Sequence, residues 1–228
     1  MKRKIVCITG ASRGIGHSLV KEYLKQGHLV VAISRNADAV EVNAEHENDL
    51  IRVSANITTH EGIQTVKSRI TELGSLNVLI HNAGQLVYRP FADISLAELQ
   101  DVYMVNVFAP FTLTQALLDL MEHCHTISIS SIGGVENSLK FPGLSAYSSS
   151  KAALNCLTQM WAEEFKETRH TFNCLALGSV QTDMFGEAFP GVPASCTPEE
   201  MASFIYNFDS SAPSVQNGKI ISVSRTNP

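Results

Sequence analysis

The 228-residue sequence lacks any uninterrupted apolar run long enough to cross a bilayer. Its basic start, Met1-Lys2-Arg3-Lys4, is followed by a run from Ile5 to Ile8 that stops at Thr9-Gly10, too short for the core of a signal segment. Concentrated positive charge is missing as well. The 17 Lys and Arg residues are scattered against 22 Asp and Glu, a net charge of −5, which argues against a nucleic-acid-binding or acidic-membrane-binding surface. Cysteine is sparse and odd in number: Cys7, Cys124, Cys156, Cys174 and Cys196 form no Cys-x-x-Cys or Cys/His spacing, so neither a disulfide framework nor a zinc site is expected. They read as buried free thiols of a cytoplasmic protein. Repeats, low-complexity tracts and linkers are also lacking, so residues 1–228 are expected to form one domain, and 44% hydrophobic content is enough for its core.

What the sequence does contain is a regular alternation of elements. Short β-rich runs at 4–9, 29–34, 49–55, 78–82, 126–130, 171–176 and 219–224 read as about seven strands, the early ones apolar throughout, as burial on both faces demands. Helical patterns at 14–26, 59–73, 95–123, 146–167 and 198–208 fall between them, several opening on Ser or Thr. Repeated strand-helix-strand order with right-handed crossovers predicts an α/β fold: a three-layer, doubly wound parallel sheet with helices on both faces. Residues 183–197 mix Gly and Pro with Met184, Phe185, Phe189 and Val192, and are expected to form a flap over an apolar pocket.

Two local patterns carry chemistry. The first strand runs directly into Thr9-Gly10-Ala11-Ser12-Arg13-Gly14-Ile15-Gly16 before a helix begins, so its glycines permit a tight turn and close approach of a diphosphate to the uncapped helix N-terminus. Further on, Tyr147 precedes Lys151 by four residues on a helix, which places a phenol beside an ammonium. A nearby cation favours the phenolate and lowers the tyrosine pKa toward working pH, making a general acid/base. Chance supplies such pairs often enough that this one carries little alone.

In order along the chain stand TGASRGIG, then His81-Asn82-Ala83-Gly84, Asn106, Ile129-Ser130-Ser131, and Tyr147 with Lys151. On these motifs the chain resembles the short-chain dehydrogenase/reductase family over nearly its whole length. The resemblance implies a Rossmann-type fold and an oxidoreductase interconverting a carbonyl and an alcohol by hydride transfer. It implies that Tyr147 exchanges the proton, Lys151 tunes the phenol and holds the nicotinamide ribose, Ser131 holds the carbonyl oxygen, and Asn106 holds a water on a proton path from Lys151. Cofactor contacts would come from Gly10, Ser12, Arg13, Gly14, Ile15 and Gly16, from Asn82, Ala83 and Gly84, and from Tyr147, Lys151, Gly178, Val180 and Thr182, with Asn56 and Ile57 beside the adenine.

Departures from the family pattern matter. The gap between Ser131 and Tyr147 is about three residues longer than usual, with the surplus near 136–140, so Ser130 and Ser138 are alternative substrate hydroxyls. The family's Pro-Gly becomes Leu177-Gly178, and no Asp-Gly-Gly follows the last strand. The carboxylate that would accept a ribose 2′-hydroxyl is replaced by Ser34-Arg35, and with Arg13 nearby two guanidinium groups favour a 2′-phosphate, hence NADP(H). A small-molecule carbonyl or alcohol is the expected substrate, and Arg89 is read as a solvated surface residue in preference to a partner for an acidic substrate group. A homodimer or homotetramer is expected through the helices at 95–123 and 146–167, with Leu113, Leu117, Leu154 and Trp161 as contacts. A non-enzymatic NADP(H)-sensing or scaffold protein is the alternative, against which the intact Tyr147 and Lys151 count.

Overall fold

The computed structural model describes residues 3–225; the chain ends noted above, Met1-Lys2 and Thr226 to Pro228, lie outside the described residues. At its centre seven parallel strands run in the order β3-β2-β1-β4-β5-β6-β7: β1 Ile5–Thr9, β2 Leu29–Ser34, β3 Leu50–Ser54, β4 Leu76–His81, β5 Met121–Ser131, β6 Thr171–Leu177 and β7 Lys219–Val223. Around it lie α1 Gly14–Lys25, α2 His60–Leu73, α3 Leu96–Tyr103, α4 Ala109–Leu117, α5 Ser145–Glu164, α6 Asp183–Ala188 and α7 Pro198–Ser211. The doubly wound arrangement is the one the alternation predicts.

Alternate strand residues explain the two apolar layers. On one side Val6, Ile8, Val30 and Ile80 pack with Leu19 and Tyr23 of α1 and Ile205 of α7. On the other, Cys7, Val31 and Leu79 pack with Ile63 and Val66 of α2 and Leu113 and Leu117 of α4. Because order reverses between β1 and β4, the chain leaves these two strands in opposite directions and a crevice opens beyond their C-terminal ends. At the opposite end a buried charge cluster ties α7 to the sheet: Asp209 accepts from Lys4 Nζ at 2.7 Å and pairs with His125 Nδ1 at 2.9 Å. Burial opposes ionisation of Asp209, yet the bonds from His125 and Lys4 hold its carboxyl below the usual range.

Three expectations need correction. The helix at 95–123 is not continuous: α3 passes into a π turn over Met104–Phe108, α4 ends at Leu117, and β5 begins at Met121. Pro110 removes a ladder donor near the start of α4, and the strand starts early because Met121 pairs with Leu76 before a bulge, with His123 at φ 55°. The residues taken as interface contacts, Leu113, Leu117, Leu154 and Trp161, lie in the chain's own core; the large apolar groups exposed on these elements are instead Leu96, Met104, Phe108, Phe111 and Met160. Of the five cysteines, Cys7, Cys124 and Cys174 are buried, whereas Cys156 is exposed and Cys196 half-buried. Burial pushes the Cys124 and Cys174 thiols up to about 12.

Candidate active site

The crevice has a volume of about 1020 Å³; of the catalytic and cofactor-contact residues named from the sequence all line it except Gly16 and Asn106, while Ser138 and Arg89 lie outside its lining. Gly16 and Asn106 act from behind. A Cβ at Gly16 would fall 2.2 Å from the Gly10 carbonyl oxygen, so glycine there lets α1 close onto the loop. Asn82 braces the same turn from β4, its Nδ2 donating to the carbonyls of Thr9 at 2.9 Å and Gly10 at 3.1 Å. The first turn of α1 carries neither a side-chain cap nor an acidic residue, so its N–H groups face the crevice without a partner from the side chain of Arg13.

At the far side of β2, Ser34 has a buried hydroxyl without a hydrogen-bond partner, and it lines the crevice next to exposed Arg35. An orphaned donor beside a cation and an uncapped helix start fits a phosphorylated ribose. Arg13 and Arg35 both line the crevice, and Arg13 also lies 3.7 Å from Asp183 of α6 in an exposed pair. Asn56 accepts from Thr58 N at 3.2 Å and Thr58 Oγ1 at 2.8 Å, which occupies its oxygen and leaves its amide NH2 for an adenine nitrogen.

The chemistry-bearing end is built by α5 and the end of β5. Tyr147 and Lys151 are one turn apart, and Lys151 Nζ sits 5.7 Å from the Tyr147 ring centroid while donating to the Ile129 carbonyl at 2.8 Å. The expected lowering of the phenol is not found in the chain alone. Burial pushes Tyr147 up to about 12, against which the Ser131 hydroxyl acts in the lowering direction. Burial likewise pulls Lys151 down to about 8, so the same desolvation that raises the phenol weakens the ammonium.

The lengthened loop leaves Ser131 in place. Its Oγ accepts from Gly133 N at 3.2 Å and stands beside the phenol, whereas Ser130 donates to the Lys151 carbonyl and Ser138 to the carbonyls of Ile132 and Val135. Gly134 makes this possible: a Cβ there would lie 2.7 Å from Ala152 N, so only glycine lets the strand end rest on α5. The Gly133-Gly134 pair after a strand was the available signal, and it was passed over.

Asn106 is fully buried in the π turn. Both hydrogens of its amide are used, toward the Gln85 carbonyl and Ser150 Oγ at 2.9 Å each, and its oxygen accepts from Gln85 N at 2.8 Å. Ser150 in turn donates to the Tyr147 carbonyl at 2.7 Å. The side chain therefore braces the α5 turn that carries the phenol, and its donors are not free for the water expected of it.

On the other wall Gly178 N donates to Val223 O at 2.8 Å, Val180 bridges to Cys196, and Thr182 caps α6 by accepting from Phe185 N at 3.2 Å. The flap is thus a short helix with a pinned return. Among the described residues no helix is long and apolar enough to cross a membrane, and no group of three or more His, Cys, Asp or Glu side chains gathers as a metal site.

A family profile described as short chain dehydrogenase matches residues 4–192, and the chain belongs to that family. It is similar to YciK, an uncharacterized oxidoreductase of Escherichia coli, at 32% identity over 200 residues covering 82% of this chain and 77% of that protein. Among solved structures, a 4-hydroxyisoleucine dehydrogenase complexed with NADH superposes with a TM-score of 0.87 at 24% identity, covering 97% of each chain. A short chain dehydrogenase from Burkholderia cenocepacia in complex with NADP gives 0.86 at 24% identity, covering 97% of this chain and 96% of that one. These likenesses establish the fold in which the crevice is set.

Proposed function

We propose that the protein is an NADP(H)-dependent oxidoreductase that interconverts a small-molecule carbonyl and its alcohol. The observation that carries this reading is the meeting of Tyr147, Ser131 and Lys151 at one end of a crevice whose other end presents uncapped α1 N–H groups, an orphaned Ser34 hydroxyl and Arg35. The dinucleotide supplies or receives the hydride. Around it the chain's own groups have distinct tasks.

In the reductive direction the Tyr147 hydroxyl donates its proton to the substrate oxygen, and Ser131 holds that oxygen by hydrogen bonding. A neutral phenol, kept protonated by burial, is the form this direction requires. Lys151 stands where a ribose hydroxyl and the phenol can share its ammonium, which compensates the developing phenolate. Asn106 and Ser150 keep the Tyr147 turn in register, a positioning role. Solved relatives of the fold carry either NADH or NADP, so the preference for NADP(H) rests on this chain's own Ser34, Arg35 and Arg13. We assign the protein a cytoplasmic setting and a homodimeric or homotetrameric state, with exposed Phe108, Phe111, Met104 and Met160 at the contact.

The test is NADPH consumption on addition of ketones, aldehydes, quinones or pterins. Consumption that depends on a carbonyl compound is expected. Tight NADPH binding without turnover across the whole panel would instead favour the non-enzymatic sensing reading.

A further inference from the structure

At the substrate end of the crevice Phe141, Phe185 and Phe189 stand in the lining, and Tyr88 packs on Phe189 from outside it. Phe189, just past α6, has its centroid 5.2 Å from Phe185, 5.8 Å from Phe141 of the loop after β5, and 6.0 Å from Tyr88 of the loop after β4. These pairs are tilted or edge-to-face, at 38°, 74° and 55°, so ring faces and edges are presented at several angles. Phe141 and Leu139 line the crevice yet remain 44% and 58% exposed, and Val192 on the opposite rim is 51% exposed. Large apolar groups left uncovered around a reactive cleft, rather than scattered over a surface, are suited to an apolar ligand that covers them.

The lengthened loop at 135–144 is what brings Phe141 and Leu139 to this rim. It is held firmly: Gly143 O accepts from Arg89 N at 3.0 Å, and Lys140 Nζ donates to Val135 O at 2.5 Å and to Ser138 Oγ at 2.7 Å. The same bonds dispose of its charge. Lys140 is turned onto its own loop, Arg89 pairs with Glu98 at 3.0 Å, and Lys151 donates to Ile129. Arg13 and Arg35 belong to the dinucleotide end, and the other charged groups lining the crevice, Asp101 and Asp183, are acidic. An anionic substrate would find no uncommitted cation here, and a carboxylate without a partner is costly to desolvate.

We propose that the site selects a neutral aromatic carbonyl compound, with Phe189 and the 135–144 loop as the specificity-determining elements. The proposal rests on the carbonyl-oxidoreductase reading of the same site. Ring-on-ring contact favours an aromatic over a saturated ligand by roughly 2- to 10-fold per pair.

The test compares tetralone with its saturated analogue decalone, and benzylacetone with the acid that carries a carboxylate in place of its methyl group. For each, kcat/KM is measured with NADPH, and the dissociation constant is measured on the NADPH-loaded Tyr147→Phe variant, where binding is read without turnover. Tetralone should be preferred over decalone by about fivefold or more, and benzylacetone over the acid by about a hundredfold. Phe189→Leu should bring the tetralone-to-decalone ratio toward one, and Phe189→Tyr should keep it. Equal or tighter binding of decalone, or equal binding of the acid, would overturn the proposal. Carbonyl-dependent turnover without aromatic preference removes the aromatic selection alone; aromatic preference in binding without turnover of any carbonyl supports it while removing the reductase reading.

Discussion

Tyr147 and Lys151 illustrate how burial reverses a simple charge argument. Their spacing was legible, because four residues on a helix fix a common face, but the direction of their pKa shifts was not, since that depends on how much of the chain closes over them. With folded values of about 12 and about 8, both groups are shifted toward their neutral forms in the chain alone, the phenol staying neutral and the lysine still mostly an ammonium near neutral pH. The signs for stability are opposite. Tyr147, raised above its ordinary 10.0, contributes stability that is present below pH 10 and lost as pH climbs toward 12; Lys151, lowered from 10.5, carries a penalty below pH 8 that is relieved as pH rises toward 10.5. The absorbance difference between wild type and Tyr147→Phe, without cofactor, should show no phenolate through pH 10, the ordinary value. A phenolate forming near neutrality would contradict the dominance of burial. Arg35 was singled out by a missing carboxylate, and its proposed role is open to direct test. Arg35→Ala should weaken NADPH binding by about 1–3 kcal/mol, roughly 5- to 150-fold, and NADH binding far less. Equal losses measured by titration of the two cofactors would remove the charge argument.

At the scale of elements, strands and crossovers followed from apolar runs buried on both faces, whereas the break between α3 and α4 did not. Periodicity reports which side is apolar, and a π turn keeps Val102, Asn106, Ala109 and Leu113 inward while shifting the ladder by one residue. Nothing in that pattern distinguishes it from an ordinary helix. Gly62 in the first turn of α2 was also missed. A Cβ there would lie 2.0 Å from the Asn56 carbonyl oxygen, so α2 sets the height of the segment proposed to meet the adenine. Gly62→Ala should lower stability by about 1–3 kcal/mol in urea unfolding and weaken NADPH and NADH alike. Unchanged stability together with unchanged affinity would show that the segment is not held by this contact.

For the whole molecule, sequence order determined the sheet and the position of the crevice, because reversal between β1 and β4 leaves an opening there whatever the loops contain. Surface identity was less legible: Leu113 and Leu117 look as suited to an interface as Phe108 and Phe111, and only the packing of α4 on α2 and the sheet decides which pair is covered. A dimer or tetramer is expected at micromolar concentration by light scattering, and charge at the exposed rings, as in Phe108→Glu with Phe111→Glu, should yield smaller species. Elution of the unaltered protein as a monomer would contradict this assembly. The central claim is that the phenol of Tyr147 moves the proton in a carbonyl-alcohol exchange. Its most direct test is carbonyl-dependent NADPH consumption by Tyr147→Phe alongside the unaltered protein, with NADPH affinity measured on both. The account predicts a loss of about 10²- to 10⁴-fold in turnover with cofactor affinity retained; a phenylalanine variant that turns over as fast as the unaltered protein would contradict it.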